Sequence, residues 1–424
     1  MNDAPGVGRK TVLVLASTYP RHAGDHEPGF VHELSRRLLP WFDVVAVVPC
    51  APGASTREVL DGVEVFRYRY APRRFETLVN DGGIGTNLKL HPWKWLLVPT
   101  FVLGQLLAVR RLARRQRIDI IHAHWLIPQG LVAALANLAW GIPFAVTSHG
   151  ADVYSFRGAL LQRLKCWIAG RAVRLSVVGS AMRGELGRSG IAEERIWVRS
   201  MGVDLAGRFS PGGGTRTTAE IIFVGRLVEK KGLRFLIDAM PLVLESCPSA
   251  VLTVAGFGPE AEPLQARVRS LGLTDKVHFL GAIPPAEVPA LLRRGAVTVA
   301  PFVEAASGDQ EGMPLALLEA VGCGCPVVAG DVAGVRDVLG LPDGRIVVNP
   351  QDREALAAAI VEKLSNPVSA RTEAESLRAR VAGYFDWSAV AGDYAGWLGA
   401  AAVTTQGTAP DSRLDARSSS GSRG

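Results

Sequence analysis

Residues 301–330 read PFVEAASGDQEGMPLALLEAVGCGCPVVAG, which divides into a strand end, a polar loop, a helix and a second short strand. Pro314 has a fixed φ and no N–H, so it suits the first position of a helix, and the Leu/Ala-rich run behind it has good helix propensity. Gly322 and Gly324 then stop that helix. Two carboxylates frame it, Glu311 in the preceding loop and Glu319 eight residues later. At roughly 100° per residue, positions eight apart return to about the same side of a helix, so both can face one ligand. Free N–H groups at a helix start attract anions, and ionised carboxylates accept hydrogen bonds from hydroxyls. A molecule with phosphates at one end and sugar hydroxyls at the other, such as a nucleotide sugar, satisfies both. The plainer reading is a solvated loop acid and a surface helix residue.

The chain is 424 residues long, 48% hydrophobic and 21% charged, which implies a folded protein of two domains. Its net charge of +7 favours anionic partners without choosing among phosphates, nucleic acid and acidic lipid. Five cysteines (Cys50, Cys166, Cys247, Cys323 and Cys325) are scattered and odd in number, so they do not make a disulfide framework, and a reducing cytoplasm fits best. The N-terminus lacks the long apolar region of a secretory signal. No apolar run of spanning length escapes interruption by a charge, a proline or a polar residue.

Apolar runs bounded by turn residues alternate with helical patterns. Residues 11–17, 43–49, 63–70, 119–125, 144–148 and 174–179 read as strands, and a second series follows at 220–224, 250–255, 276–280, 296–300, 326–329 and 345–348. Strands apolar along their whole length and separated by helices imply parallel sheets covered on both faces. The fold expected is α/β: two doubly wound, Rossmann-like domains facing a central cleft. Phe209-Ser-Pro-Gly-Gly-Gly-Thr has a linker's composition. The expected division is an N-terminal tail at 1–9, a first domain at 10–207, a second at 208–385, a C-terminal helix at 386–403 and a disordered tail at 404–424. Ligands of such sheets sit beyond the carboxyl ends of the strands.

Several residues fall at such ends. Gly29 precedes a helix and would let backbone N–H groups approach a phosphate, or is simply a loop glycine needing positive φ. His122 and His124 share a strand face, but a metal would need a third ligand that the sequence does not supply. In Thr147-Ser-His-Gly-Ala-Asp152, His149 could donate to a hydroxyl or phosphate and Asp152 could accept from an acceptor hydroxyl, although a histidine there is as often a structural hydrogen-bonder. Arg226 and Lys231 follow the first strand of the second series and could stabilise a departing diphosphate, a role otherwise given to a metal. No Asp-x-Asp pair occurs; Asp309-Gln-Glu311 comes nearest. The run GFGPEA at 256–261 matches a dinucleotide fingerprint, yet the next strand ends without the acid that reading requires.

Trp93 to Arg117 combines two tryptophans, a Leu/Val-rich run and Arg110, Arg111, Arg114, Arg115 and Arg117. It suits an acidic membrane surface; the alternative is a packed helix with cations at its C-terminal end. No nucleic-acid recognition motif accompanies the arginines.

With these residues in place, residues 10–400 resemble the retaining glycosyltransferases of family 4, which have the GT-B fold. The resemblance is carried by Gly225-Arg226 with Lys231-Gly232, by Gly256-x-Gly258-Pro259, by Glu311 with seven residues before Glu319, and by Leu318-Glu-Ala-x-x-x-Gly-x-Pro326-Val-Val, all in the family's order. It implies that Arg226 and Lys231 hold the diphosphate of a UDP-, GDP- or ADP-sugar and that Glu319 holds the ribose. It also implies that Glu311, with Gly312, Met313 and nearby backbone N–H groups, holds the transferred sugar. His149 would touch that sugar from the first domain, and Gly29 and Gly258 would lie at the donor site. It further implies transfer with retention, no protein nucleophile, no metal and no cofactor beyond the co-substrate. The acceptor would be a sugar or lipid-linked, met in the cytoplasm or peripherally at the inner membrane face. Two departures stand out: Met313-Pro314 replaces the family's usual Phe-Gly, and Pro28-Gly29 replaces paired glycines. A nucleotide-sugar epimerase of the same fold and a non-catalytic sugar-nucleotide-binding module are the rival readings.

Overall fold

The aliphatic runs build two sheets in a computed structural model that describes residues 9–22, 25, 29–79, 83–154, 158–306, 308–340 and 345–404. The first contains β1 (Thr11–Leu15), β2 (Asp43–Pro49), β3 (Arg57–Leu60), β4 (Val63–Tyr68), β5 (Ile120–His124), β6 (Phe144–Ser148), β7 (Arg174–Val177) and β8 (Ile196–Val198). Its spatial order is β3-β4-β2-β1-β5-β6-β7-β8. Only β3 against β4 is antiparallel. The second contains β9 (Glu220–Val224), β10 (Val251–Ala255), β11 (Val277–Gly281), β12 (Val297–Ala300), β13 (Val327–Gly330) and β14 (Val347–Val348), all parallel, in the order β11-β10-β9-β12-β13-β14. Every strand expected from the sequence is present to within two residues. The exceptions are the unforeseen edge strands: β3 is polar and partly exposed and β8 has three residues, so neither shows the buried apolar run that marks a central strand.

Each sheet reverses its winding once, between β1 and β5 in the first and between β9 and β12 in the second. A crevice opens beyond the carboxyl ends of the strands at such a reversal. The two crevices face each other. Gly179, after β7, lies so close to the Gly312 carbonyl that a Cβ there would sit 2.5 Å from its oxygen. Beside this contact Ser180 donates through its backbone N and its Oγ to the Asp337 carboxylate at 2.7 and 2.6 Å. Met313 packs against apolar side chains of both halves.

The chain crosses between the halves at two adjacent points. Met201 belongs to the first core and Val203 to the second; Val203 N donates to Phe385 O and Trp387 N to Val203 O. Asp386 Oδ2 accepts from Leu205 N and Ala206 N at this crossing. The glycine run at 212–214, expected to be the link, is instead a surface loop whose approach is pinned by Arg293 donating to Ser210 O and Arg208 O. Its composition reflects a solvent-exposed turn, not a hinge. Helix Pro367–Phe385 packs on the second core, and helix Trp387–Thr404 returns to the first through Trp387, Val390, Tyr394 and Leu398. Residues 1–8 and 405–424, which hold nearly all of the two expected tails, lie outside the described residues.

Helix Leu97–Ala113 buries Phe101, Gln105, Val109 and Leu112. Gln105 Nε2 donates to Val47 O, so one face is docked on the first sheet. With the turn before it this element runs 22 residues, Pro92–Ala113, and is long and apolar enough to cross a membrane by length and composition. Lys94, Pro99 and Gln105 do break its apolar run, as expected from the sequence, but Pro99 and Gly104 do not interrupt the helix. Its outer face leaves Trp93, Trp95, Leu96, Leu103 and Leu107 exposed, followed by exposed Arg110, Arg111, Arg114, Arg115 and Arg117.

Candidate active site

At the reversal of the second sheet, a short turn after β9 grips the loop after β12. Glu229, Lys230 and Lys231 form one 3-10 turn, and each holds a different part of that loop. Glu229 Oε1 accepts from Ala306 N at 2.9 Å. Lys230 lies 3.2 Å from the Asp309 carboxylate. Lys231 Nζ lies 2.7 Å from Glu311 Oε2 and 4.7 Å from the centre of the Phe302 ring. Gly232 closes the turn at φ +69, where a Cβ would be 1.8 Å from the Pro301 carbonyl oxygen. Only glycine meets both demands.

Electrostatics follow from this packing. Burial pushes the Glu311 carboxyl up, but the charges of Lys231 and Lys230 and the Met313 N–H outweigh it and hold the group below its ordinary value. Glu319 lies mid-helix in Leu315–Gly322. Burial pushes its carboxyl up to about 7, against the pull of Arg208 and Lys231. Lys231 therefore acts on both carboxylates, and the eight-residue spacing does bring them to one place. Pro314 sits one position earlier than expected, as the N-cap. Arg226 is exposed on the same loop as Lys231, and no described side chain pairs with it. Arg208, whose guanidinium donates to the Pro285 carbonyl, is a further cation near Glu319. Its position in the crossing segment gave no sign of this.

The expected donor-site glycines fall into two kinds. Gly256 and Gly258 let two backbones meet: their Cβ atoms would lie 1.8 Å from Gly225 O and 2.4 Å from Leu227 O. Gly258 thus locks the loop after β10 onto the loop carrying Arg226. Gly312 has no such constraint, with Met182 Sδ at 3.5 Å from a notional Cβ. Gly29 is the N-cap of helix Phe30–Leu38 at φ −86, so positive φ does not explain it, and a Cβ would make only an ordinary contact with Pro20.

On the opposite lip the histidines of β5 and of the loop after β6 are uncharged. His149 Nε2 and His124 Nδ1 share a hydrogen bond of 2.9 Å, and His122 Nε2 meets Thr147 Oγ1 at 2.8 Å. Burial, helped by His122, lowers His149 to about 3, and burial lowers His122 to about 3. Both are uncharged at neutral pH. Asp152 does not face the cleft. It is 1% exposed, and its oxygens accept from Leu126 N at 2.6 Å and Ser148 Oγ at 2.7 Å. This corrects its expected role as an acceptor-hydroxyl partner: it is a brace beneath the loop after β5. Among the described residues no group of three His, Cys, Asp or Glu side chains could hold a metal.

Two Rossmann-like halves whose winding reversals face each other, one lip charged and the other lined by uncharged histidines, make the architecture of a GT-B glycosyltransferase. The comparisons agree with it. Residues 29–206 match the family model described as glycosyltransferase family 4, and residues 218–366 match that of glycosyl transferases group 1. A phosphatidyl-myo-inositol mannosyltransferase of Mycobacterium leprae is 31% identical over 278 residues, 64% of this chain and 71% of that protein. A glycogen synthase of Mycobacterium tuberculosis is 28% identical over 401 residues, 90% of this chain and 92% of that protein. A crystal structure of Anabaena HepE in complex with UDP-glucose superposes with a TM-score of 0.68 at 18% identity, covering 92% of this chain and 99% of that one. The chain belongs to glycosyltransferase family 4.

Proposed function

We propose that this glycosyltransferase moves a sugar, with retention, from a nucleotide-sugar donor to an acceptor hydroxyl in polysaccharide or glycolipid synthesis. One observation carries the donor assignment: the Lys231–Glu311 pair beside Glu319 at the β9/β12 reversal. Arg226 and Lys231 neutralise the diphosphate, Glu319 accepts from the ribose hydroxyls, and Glu311 with the backbone N–H groups of Gly312 and Met313 orients the transferred sugar. Until the donor arrives, Lys231 and Glu311 satisfy each other. The bond from the anomeric carbon to the β-phosphate oxygen breaks and the bond to the acceptor oxygen forms on the same face. The acceptor proton passes to the departing phosphate, so no protein nucleophile and no metal are required. His149 meets the sugar as a neutral hydrogen-bonding ring. The relatives' names, a glycogen synthase and a phosphatidyl-myo-inositol mannosyltransferase, support a carbohydrate or lipid-borne acceptor, and the UDP-glucose complex of HepE supports a nucleotide-sugar donor. Screening UDP-, GDP- and ADP-sugars for transfer, with and without a membrane extract, tests the reading; no transfer from any of them overturns it.

The exposed tryptophans and leucines around Pro92–Ala113, with the arginines beyond them, support peripheral attachment at the cytoplasmic membrane face. Replacing Arg110, Arg111, Arg114 and Arg115 by Gln should weaken binding to phosphatidylglycerol vesicles in sedimentation by up to about a thousandfold, at about 1 kcal/mol per cation. Wild-type binding should fall with added salt. Equal sedimentation of variant and wild type would remove the assignment.

A further inference from the structure

Trp125 has an unusual backbone for a bulky residue. Its φ is +76 and its ψ 137, a region that costs a side chain with a Cβ about 1–3 kcal/mol and persists only where surrounding contacts enforce it. Those contacts are present. Trp125 N donates to Thr147 O and its carbonyl accepts from Gly130 N. The next amide, Leu126 N, donates to the buried Asp152 carboxylate at 2.6 Å. Asp152 is itself set by Ser148 Oγ.

This bracing fixes where the indole points. Its ring lies 5.0 Å from the His149 ring and 6.1 Å from Phe30, and Phe30 lies 4.8 Å from His149. All three side chains are half-buried. Trp125 and His149 directly follow β5 and β6, and Phe30 opens the helix that follows β1, so the three gather near the winding reversal of the first sheet. A phenyl ring, an indole and an imidazole held uncharged by burial carry no charge to draw a phosphate. They offer apolar faces with the N–H edges of indole and imidazole, the chemistry that suits the C–H face and hydroxyls of a neutral pyranose.

We infer that Phe30 and Trp125 form a seat for a neutral sugar ring of the acceptor, next to His149 where it meets the transferred sugar, and that Asp152 is a positioning residue that holds Trp125 in it. The seat lies beyond the carboxyl ends of the first sheet's strands and the proposed donor site beyond those of the second, and the inference rests on that donor site only for which sugar it serves.

The test uses the full chain and saturation-transfer NMR with methyl glycosides of glucose, mannose, galactose and N-acetylglucosamine, each with UDP or GDP present. Nucleotide affinity is measured in parallel by calorimetry. Wild type should transfer saturation to the ring protons of at least one glycoside. Trp125→Leu should weaken that glycoside by about tenfold and Trp125→Phe by much less, with nucleotide affinity unchanged in both. Asp152→Asn should weaken the glycoside as Trp125→Leu does and shift the indole bands in near-ultraviolet circular dichroism. The inference is overturned if no glycoside binds wild type, if Trp125→Leu binds as well as wild type, or if nucleotide and glycoside affinities fall together. Should Asp152→Asn not fold, the Trp125 pair still decides the seat. Glycoside binding without nucleotide binding would remove the donor site and leave the seat standing; the opposite result would remove the seat alone.

Discussion

The two lips of the cleft solve recognition by opposite means. The second half places cations and carboxylates around the β9/β12 reversal, where Lys231 pairs with Glu311 and its charge also reaches Glu319. The first half places uncharged rings at the β1/β5 reversal, braced from beneath by a buried carboxylate. In the proposed reaction the donor brings two phosphates, which charge can meet, whereas the acceptor hydroxyl is met by uncharged rings and gives its proton to the departing phosphate. On that proposal the cations on one lip and the rings on the other follow from the two ends of one reaction.

The sharpest way to break this contrast is to empty the charged lip. Glu311→Ala and Lys231→Ala should each lower transfer by about a thousandfold, the scale of removing a preorganised electrostatic group. Each also strands a buried charge, since the partners are only 12% and 14% exposed, and should cost about 3 kcal/mol of stability. A Lys231→Met, Glu311→Gln double variant removes both charges, so it should recover most of the stability in urea titration and none of the transfer. Transfer that survives either single change would place the donor elsewhere.

A second test concerns the backbone that supports that lip. Gly232→Ala meets both a left-handed φ and the Pro301 carbonyl, while Gly141→Ala meets a φ of +69 with nothing within 4 Å. The first should lose about 3 kcal/mol and most donor affinity, and the second about 1 kcal/mol and none. Equal losses would mean that the φ alone matters and that the turn is not wedged against β12.

These contrasts explain what could be read from the sequence. The charged lip was legible because its parts are local: Lys231-Gly232 closes one turn, and Glu311 precedes and Glu319 lies within one helix, so their spacing suggested that they meet. The neutral lip was not. His149 stood out as a polar residue at a strand end, but Trp125 after β5 and Phe30 at the start of a helix are brought to it only by the fold, and nothing in the letters His122-Ala-His-Trp125 signals a positive φ. Asp152 was noticed as a polar residue at a strand end, but its burial depends on Leu126 and Ser148, which only the fold brings to it. The crossing point was misplaced for a related reason. A glycine run announces a flexible loop, whereas the true crossing at Gly202 is ordered by Asp386 from a distant part of the chain.

The finest test turns on Glu319. Its ordinary pKa of 4.5 is pushed up to about 7 in the folded protein, so folding favours the protonated form. The stability this group contributes is fully present below pH 4.5 and is lost as the pH rises through about 7. Glu319→Gln, neutral throughout, should therefore melt no higher than wild type at pH 4.5, progressively higher as the pH rises to about 7, and higher by a constant margin above it. Donor affinity should move the other way. Ribose hydroxyls donate better to the ionised carboxylate, so binding of the nucleotide sugar should tighten a few-fold between pH 6 and 8 in wild type and stay level in the variant. An intact nucleotide sugar is the proper ligand, because its phosphates are both esterified and lack the second ionisation near pH 6 that a free nucleoside diphosphate would add. A level profile in wild type would take Glu319 away from the ribose and leave the charged lip to Arg226, Lys231 and Glu311 alone.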